Sequence, residues 1–229
     1  MTIDRGGARP YRSQLRAEQA RRTRQRLIAA ATSTFLVRGY AGTTMRAIAD
    51  AAGVSVSTLE QQFGTKVQLL KAAIDVAIAG DDDDVPVLDR VWADKGRAAD
   101  DVDEFLSIVA DVLASAQSRS SGLVLAVFEG AATDPALAQL STAMISQRAS
   151  TAGWIIDQIA ARTPLRGYLD RDDAVDTLWI LMDPAVFDRL VRQLGWSPER
   201  YQQWFARSAR RLLIADDPTT KTVSTRRRQ

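Results

Sequence analysis

Between residues 24 and 78 the apolar positions recur at the spacing of short helices packed on one another. Arg24, Ile28, Ala31 and Phe35 follow steps of four, three and four, with Leu27 beside them, and Gly39 supplies a stop. Thr44 then suits the N-cap of a short helix whose inward face is Ile48, Ala49 and Ala52, ended by Gly53. Ser55 caps a second over 56–62, with Leu59 and Phe63 turned inward, and Thr65 caps a third striped by Val67, Leu70, Ile74 and Ile78. Residues 1–18 are polar, Gly-containing and Arg-rich without apolar period, and are expected to form a flexible basic arm.

At Gly80 the character changes. GDDDDVPVLDR holds four consecutive aspartates and a proline, whose mutual repulsion argues for an unpacked loop or frayed helix end at a domain boundary. Beyond it, Val102, Phe105, Leu106, Val109 and Leu113 form one stripe, and Leu123–Ala131 a short, very apolar helix. Asp134-Pro135 opens a long helix to about Arg162. Arg171 or Asp172 opens another, kinked or restarted at Asp183-Pro184, and Ser197-Pro198 starts the last, ending near Ile214. Residues 215–229 lack any apolar period and are expected to be disordered. No strand-like alternation occurs, so the fold class is all-α.

Composition narrows the chemistry. The 229 residues are 46% apolar, enough for a sizeable core, and contain neither cysteine nor histidine. That removes disulfides, thiolate and imidazole metal sites, and any cysteine or histidine catalyst. Acidic residues scatter over helix surfaces, so no catalytic set, metal site or cofactor is expected, and the protein reads as no enzyme. No apolar run approaches the roughly 18–20 residues of a membrane span. The charged N-terminus lacks the hydrophobic stretch of a secretory signal, and a cytoplasmic protein without membrane partners is expected. Charge is asymmetric: residues 1–80 hold 12 Lys/Arg against 5 Asp/Glu, whereas 81–214 hold 14 against 21. A basic first third on an acidic body suits a nucleic-acid-binding module joined to something else.

The segment TTMRAIADAAGVSVSTLEQQF fits that module. A helix-turn-helix needs small residues where its two helices cross, and Ala49, Ala52, Gly53 and Val54 supply them. With its flanks, residues 21–79 resemble the DNA-binding domain of the TetR family of bacterial transcriptional regulators. The resemblance rests on TRQRLIAAATSTFLVRGYAGTT, on IADAAGVSVSTL, and on Phe63 and Lys66. The run DTLWILMDPAVFDRLVRQLGWSPERYQQWFARSARRLLI also resembles the last helices of many members.

The resemblance implies a three-helix DNA-binding domain over 19–66, a connecting helix over 67–80, and a larger helical effector-binding and dimerisation domain over 81–214. It implies a homodimer, probing double-stranded DNA and answering to a small-molecule effector, largely apolar by the residues below. Recognition-helix residues Ser55, Val56, Ser57, Thr58, Glu60, Gln61 and Gln62 then face DNA, Val56 against a thymine methyl and the polar ones toward bases or phosphates. Thr44, Arg46, Lys66 and Arg22 are candidate phosphate contacts, with Arg46 also within reach of a guanine. Arg5, Arg9, Arg12, Arg16 and Arg21 are further candidates for tracking the backbone.

Glu60 and Gln62 depart from the family's usual tyrosine and histidine. A carboxylate at about 4 Å from a phosphate is repelled by roughly 1–4 kcal/mol. Three readings stand: Glu60 accepts from a cytosine amino group, it orients an arginine such as Arg46, or the chain binds DNA weakly or not at all. The last makes it an interaction protein that keeps the regulator scaffold.

For the effector, Phe105, Val109, Phe128, Met144, Trp154 and Ile155 sit on helices that surround a cavity in the family, with Glu129 as a polar candidate. For the dimer, the wide apolar faces of the last helices supply Leu178, Trp179, Met182, Phe187, Leu190, Trp204, Phe205, Ala209 and Leu212.

Overall fold

The structure, a computed structural model, describes the backbone of residues 8–215 and side chains from residue 18 onward. Residues 1–7 and 216–229 lie outside the described residues, as do the side chains of Arg9, Arg12 and Arg16. Helix α1 (Ala8–Arg38) begins sixteen residues before Arg24, where the apolar stripe that signals it starts. Its early Ala, Arg, Gln and Leu are good helix formers, and Pro10 falls in the first turn, where a missing N–H does no harm.

Three short helices follow: α2 (Met45–Ala52), α3 (Val56–Phe63) and α4 (Lys66–Ala79). Thr44, Ser55 and Thr65 cap them as expected, each accepting a backbone N–H three residues on, and Gln68 completes a capping box at α4. Gly53 closes α2 in the left-handed region (φ 67°) and donates to Ala49 O and Asp50 O. A side chain there would strain the turn on which the motif depends.

The C-terminal half comprises α5 (Val91–Ala98), α6 (Val102–Gly130), α7 (Pro135–Ala160), α8 (Arg171–Leu181), the single-turn α9 (Pro184–Phe187) and α10 (Pro198–Leu213). Asp101, Asp134, Asp170, Asp183 and Ser197 cap the starts of α6 to α10, while α5 has no side-chain cap. Between α9 and α10, Asp188–Gln193 wind as a π-helix.

Two expectations are corrected. The stripe at 102–113 and the apolar run after 122 belong to one 29-residue helix, α6. The polar stretch AQSRSS between them carries the helix through because Gln117, Ser120 and Ser121 are buried, and Ser118 and Ser120 donate to Ala114 O and Ala116 O. Nor does the aspartate run stand unpaired, since three of its four carboxylates meet a partner. Arg21 Nη2 donates to Asp82 at 2.8 Å and Asp83 at 2.9 Å, Gln25 adds a bond to Asp82, and Arg90 reaches Asp81 at 2.8 Å. The Asp82 side chain is only 7% exposed. Arg21, 61 residues from Asp82, supplies a counter-charge that the local reading lacked.

The side chains form two cores. One gathers Phe105, Leu106, Val109, Ile155, Ile156, Leu178, Phe187, Tyr201, Phe205 and Leu213. The other gathers Leu27, Phe35, Ile48, Leu59, Leu70 and Ile74, and is completed by Leu123, Val124 and Val127 of α6 and Leu137 and Leu140 of α7. Gly80 therefore marks a change in sequence character, while the N-terminal core closes only with help from α6 and α7.

The acidic loop offers a direct check. Asp82→Ala should leave the helices formed but open residues 81–90 to limited proteolysis. The Arg21 hydrogen bond holds the Asp82 carboxyl below its ordinary range. Its stabilisation is thus fully present above the unfolded value of about 4 and is lost as pH falls through the lower folded value. Wild-type protection of the loop should accordingly survive at pH 5; loss there would contradict the clamp.

Candidate nucleic-acid interface

The α2–turn–α3 unit is anchored from beneath by Ile48, Ala49, Leu59 and Phe63, all buried. Above them stands a run of hydroxyls. Thr44 Oγ1 accepts from Ala47 N at 3.1 Å and Ser55 Oγ from Thr58 N at 3.1 Å. Ser55 Oγ lies 2.9 Å from Ser57 Oγ and 2.8 Å from Thr58 Oγ1. Thr44, Arg46, Ser55, Ser57, Thr58, Glu60 and Gln61 are exposed, and Gln62 is half-buried. Gln19, Ala20 and Thr23 of α1 face Thr58, Gln61 and Gln62 across a groove of about 400 Å³. The structure thus brings Ser55, Ser57, Thr58, Gln61 and Gln62 together at one edge of the domain.

Several do not fit their expected parts. Val56 packs partly against the N-terminal core, so a thymine methyl is not its only neighbour. Glu60 forms no ion pair with Arg46 among the described residues. Arg22 pairs with Glu18 and Arg21 with the acidic loop, so each already meets a carboxylate within the chain.

Lys66 departs furthest. Its Nζ donates to Tyr40 O and Thr43 O, both at 3.0 Å, and stands 3.8 Å from the Tyr40 ring centre. Burial pushes the ammonium below its usual range, opposed by the Asp134 carboxylate. Tyr40 in turn donates to Asp134 Oδ2 at 3.2 Å, and burial with that carboxylate raises its phenol to about 12. Lys66 fastens the turn after α1 to the start of α4, and the phosphate role is corrected to a structural one. In sequence, a lysine opening a helix behind a DNA-reading element carries no sign that it points inward.

Two arginines were missed. The Arg24 guanidinium lies 5.0 Å from the Phe63 ring, at the end of α3. Arg119 of α6 donates from Nε to Ala77 O at 2.7 Å and from Nη2 to Ile78 O at 3.1 Å, gripping the last carbonyls of α4. An apolar stripe containing Arg24 and a polar stretch containing Arg119 both read as ordinary helix surface.

The expected effector residues do not converge. Phe105, Val109 and Ile155 are buried in the C-terminal core with Trp154 against them, whereas Phe128 and Met144 pack on the N-terminal core, and Glu129 is exposed. The former group is filled by its own neighbours: Trp154 meets Trp92 and Phe105 at ring distances of 5.5 and 6.0 Å, and Arg162 covers Phe105. Leu178, Met182, Phe187, Phe205 and Ala209 are likewise buried within the chain, so they cannot meet a partner. Trp179, Leu190 and Trp204 are half-buried, and Leu212 remains 44% exposed. The apolar width of the last helices is consumed largely by the chain's own core.

A tightly turned pair of short helices with capped starts, presenting hydroxyls and amides above a buried base, defines a helix-turn-helix DNA-binding transcriptional regulator. Residues 27–73 match the family model described as bacterial regulatory proteins, tetR family. The chain is 27% identical over 184 residues to the HTH-type transcriptional regulator CymR of Pseudomonas putida, a match covering 80% of this chain and 85% of that protein. In fold it is similar to a TetR transcriptional regulator from Chloroflexus aurantiacus, with TM-score 0.59 and 24% identity over 87% of this chain and 100% of that one. It is similar too to a Saccharomonospora viridis regulator solved with choline, with TM-score 0.61 and 18% identity over 84% and 98% of the two chains. Residues 27–73 thus carry a tetR-family DNA-binding domain, and the chain as a whole is similar to regulators of that family. Among the described residues, no helix is long and apolar enough to cross a membrane.

Proposed function

We propose that the protein is a ligand-responsive repressor that acts as a homodimer on a palindromic operator. The observation that carries this reading is the outward edge of α3, where Ser57, Thr58, Glu60 and Gln61 are exposed above a rigid base. The N-terminus of α2, with its Thr44 hydroxyl, supports it as a phosphate seat. Fluorescence anisotropy on DNA from upstream of the gene, against scrambled DNA at two salt concentrations, tests it. Specific binding that weakens with salt is expected; equal binding to both DNAs would overturn it.

The dimer is supported by the outer faces of α8 and α10. Asp172, Asp173 and Asp176 are exposed on α8, and Arg207 and Arg211 on α10. Ile180, Leu194 and Leu212 are 55, 67 and 44% exposed, large values for such residues. A concavity of about 290 Å³ lies on α10 among Trp204, Arg207, Ser208 and Arg211. Two-fold pairing that sets the acidic face of one α8 beside the basic face of the other α10 satisfies both charge and apolar area. An Ile180→Glu, Leu212→Glu double variant should run as a monomer in light scattering and lose most affinity for a two-half-site DNA. A wild-type monomer would remove the dimer from the proposal.

An effector has its support in the relatives, since the Saccharomonospora viridis regulator was solved with choline. The arginine grip of α6 on α4 supplies a route, because α4 follows α3 and displacement of α6 reaches the DNA-reading unit through it. A coupling of about 1–3 kcal/mol changes DNA affinity by roughly 5–150-fold.

A further inference from the structure

Gln117 Oε1, Ser121 Oγ, Arg148 Nε and Trp179 Nε1 are buried without a hydrogen-bond partner. They come from three elements that meet where α8 breaks. Gln117 and Ser121 stand one turn apart on α6 and are 6% and 0% exposed. The Arg148 guanidinium of α7 lies 4.0 Å from the Trp179 ring centre and bonds Asp183 Oδ2 at 2.9 Å. Gln117 Nε2 donates at 2.9 Å to Met182 O, the carbonyl beside that aspartate.

Native interiors pair nearly all such atoms, so four orphans at one junction call for a cause. The adjoining backbone is irregular as well: α9 is a single turn, and the π-helix at Asp188–Gln193 is a form that recurs at functional sites. Arg119 stands on α6 between Gln117 and Ser121, facing away from them to hold the end of α4.

We propose that this junction is the effector site and that it takes a small hydroxy acid; the inference rests on reading the chain as an effector-responsive regulator. The class follows from the atoms. Two N–H donors, Arg148 Nε and Trp179 Nε1, suit a carboxylate, and one belongs to a cation. Gln117 Oε1 only accepts, so the ligand brings an O–H. The Ser121 hydroxyl serves either end. All four atoms are screened from solvent, so the described form is closed. The ligand enters by parting α6 from the α8–α9 break. That movement displaces the 117–121 turn, and with it the Arg119 grip on α4.

The test uses 3-hydroxybutyrate on the full-length protein, with butyrate, which lacks the hydroxyl, and 3-hydroxybutyramide, which lacks the charge, as controls. Binding is read by titration calorimetry without DNA, and release by anisotropy of the protein–DNA complex. The hydroxy acid should bind wild type at least tenfold tighter than either control and, at saturation, weaken DNA binding by about tenfold. Ser121→Ala deletes one orphan atom with little change of shape, and Trp179→Phe deletes another while keeping an aromatic ring against Arg148. Ser121→Ala should keep DNA affinity, and both variants should bind the probe at least fivefold more weakly. Ser121→Ala should also melt about 2–4 °C higher, because a buried unpaired hydroxyl is gone. A wild type that binds no probe, or binds all three alike, overturns the site, as do two variants that titrate like wild type. A wild type that titrates as expected but never binds DNA specifically sinks the regulator reading and leaves the hydroxy-acid site standing.

Discussion

Lys66→Met is expected to lower Tm by roughly 5–10 °C while leaving the salt dependence of DNA binding unchanged. The ammonium makes two charged hydrogen bonds to Tyr40 O and Thr43 O and stands over the Tyr40 ring. Bonds of that kind are worth about 1.5–3 kcal/mol and a cation–π contact about 0.5–2. Because the group is only half-buried, solvent screens part of this, and a total near 2–3 kcal/mol is expected. For a chain of this size each kcal/mol moves Tm by about 2–4 °C. The loss should spread to the domain contact, since Tyr40 also holds Asp134 at the start of α7. A phosphate contact would behave differently. Its removal would leave Tm near wild type and reduce the salt slope by about 0.9. Thermal melts beside a salt titration of DNA binding decide between them, and the phosphate pattern would reverse the correction made above.

Glu60→Gln is expected to cost roughly tenfold to hundredfold in affinity for the native operator and to shift base preference at one position of each half-site. Glu60 is exposed on α3 and pairs with no arginine among the described residues, so base reading and phosphate repulsion are the two readings this variant separates. Its place in the second half of an eight-residue helix is unfavourable for a carboxylate facing the negative end of the helix dipole. A carboxylate accepts from the cytosine amino group, whereas a glutamine amide matches adenine, and such a pair discriminates by about 1–3 kcal/mol. A selection of binding sites from random DNA with both proteins measures this directly. If Glu60 instead meets a phosphate, the glutamine variant would bind every sequence more tightly, by an amount set by the 1–4 kcal/mol of relieved repulsion.

These variants also mark where sequence reading holds. The caps at Thr44, Ser55, Thr65, Asp134, Asp183 and Ser197 were legible because a cap and its N–H lie within three residues of each other. So was the turn at Gly53, and with it the exposed edge formed by Ser57, Glu60 and Gln61. The effector and dimer residues were far less legible. Periodicity says that Phe105, Leu178 or Phe205 faces something apolar, yet a pocket, a partner and the chain's own core give the same pattern. All three residues are in the core.

The sequence by itself determined the all-helical class, the helix-turn-helix and its turn, and the likeness of that segment to the TetR DNA-binding domain, since each depends on interactions spanning a few residues. The tertiary structure decided the rest. It turned Lys66 inward onto carbonyls 26 and 23 residues away, neutralised the Asp82 loop with an arginine 61 residues away, and buried the polar stretch of α6. It also set Arg119 on the end of α4, 41 and 42 residues away in the chain. A charged side chain takes its role from whichever opposite charge or carbonyl packing brings within hydrogen-bond reach, and no local pattern encodes that partner.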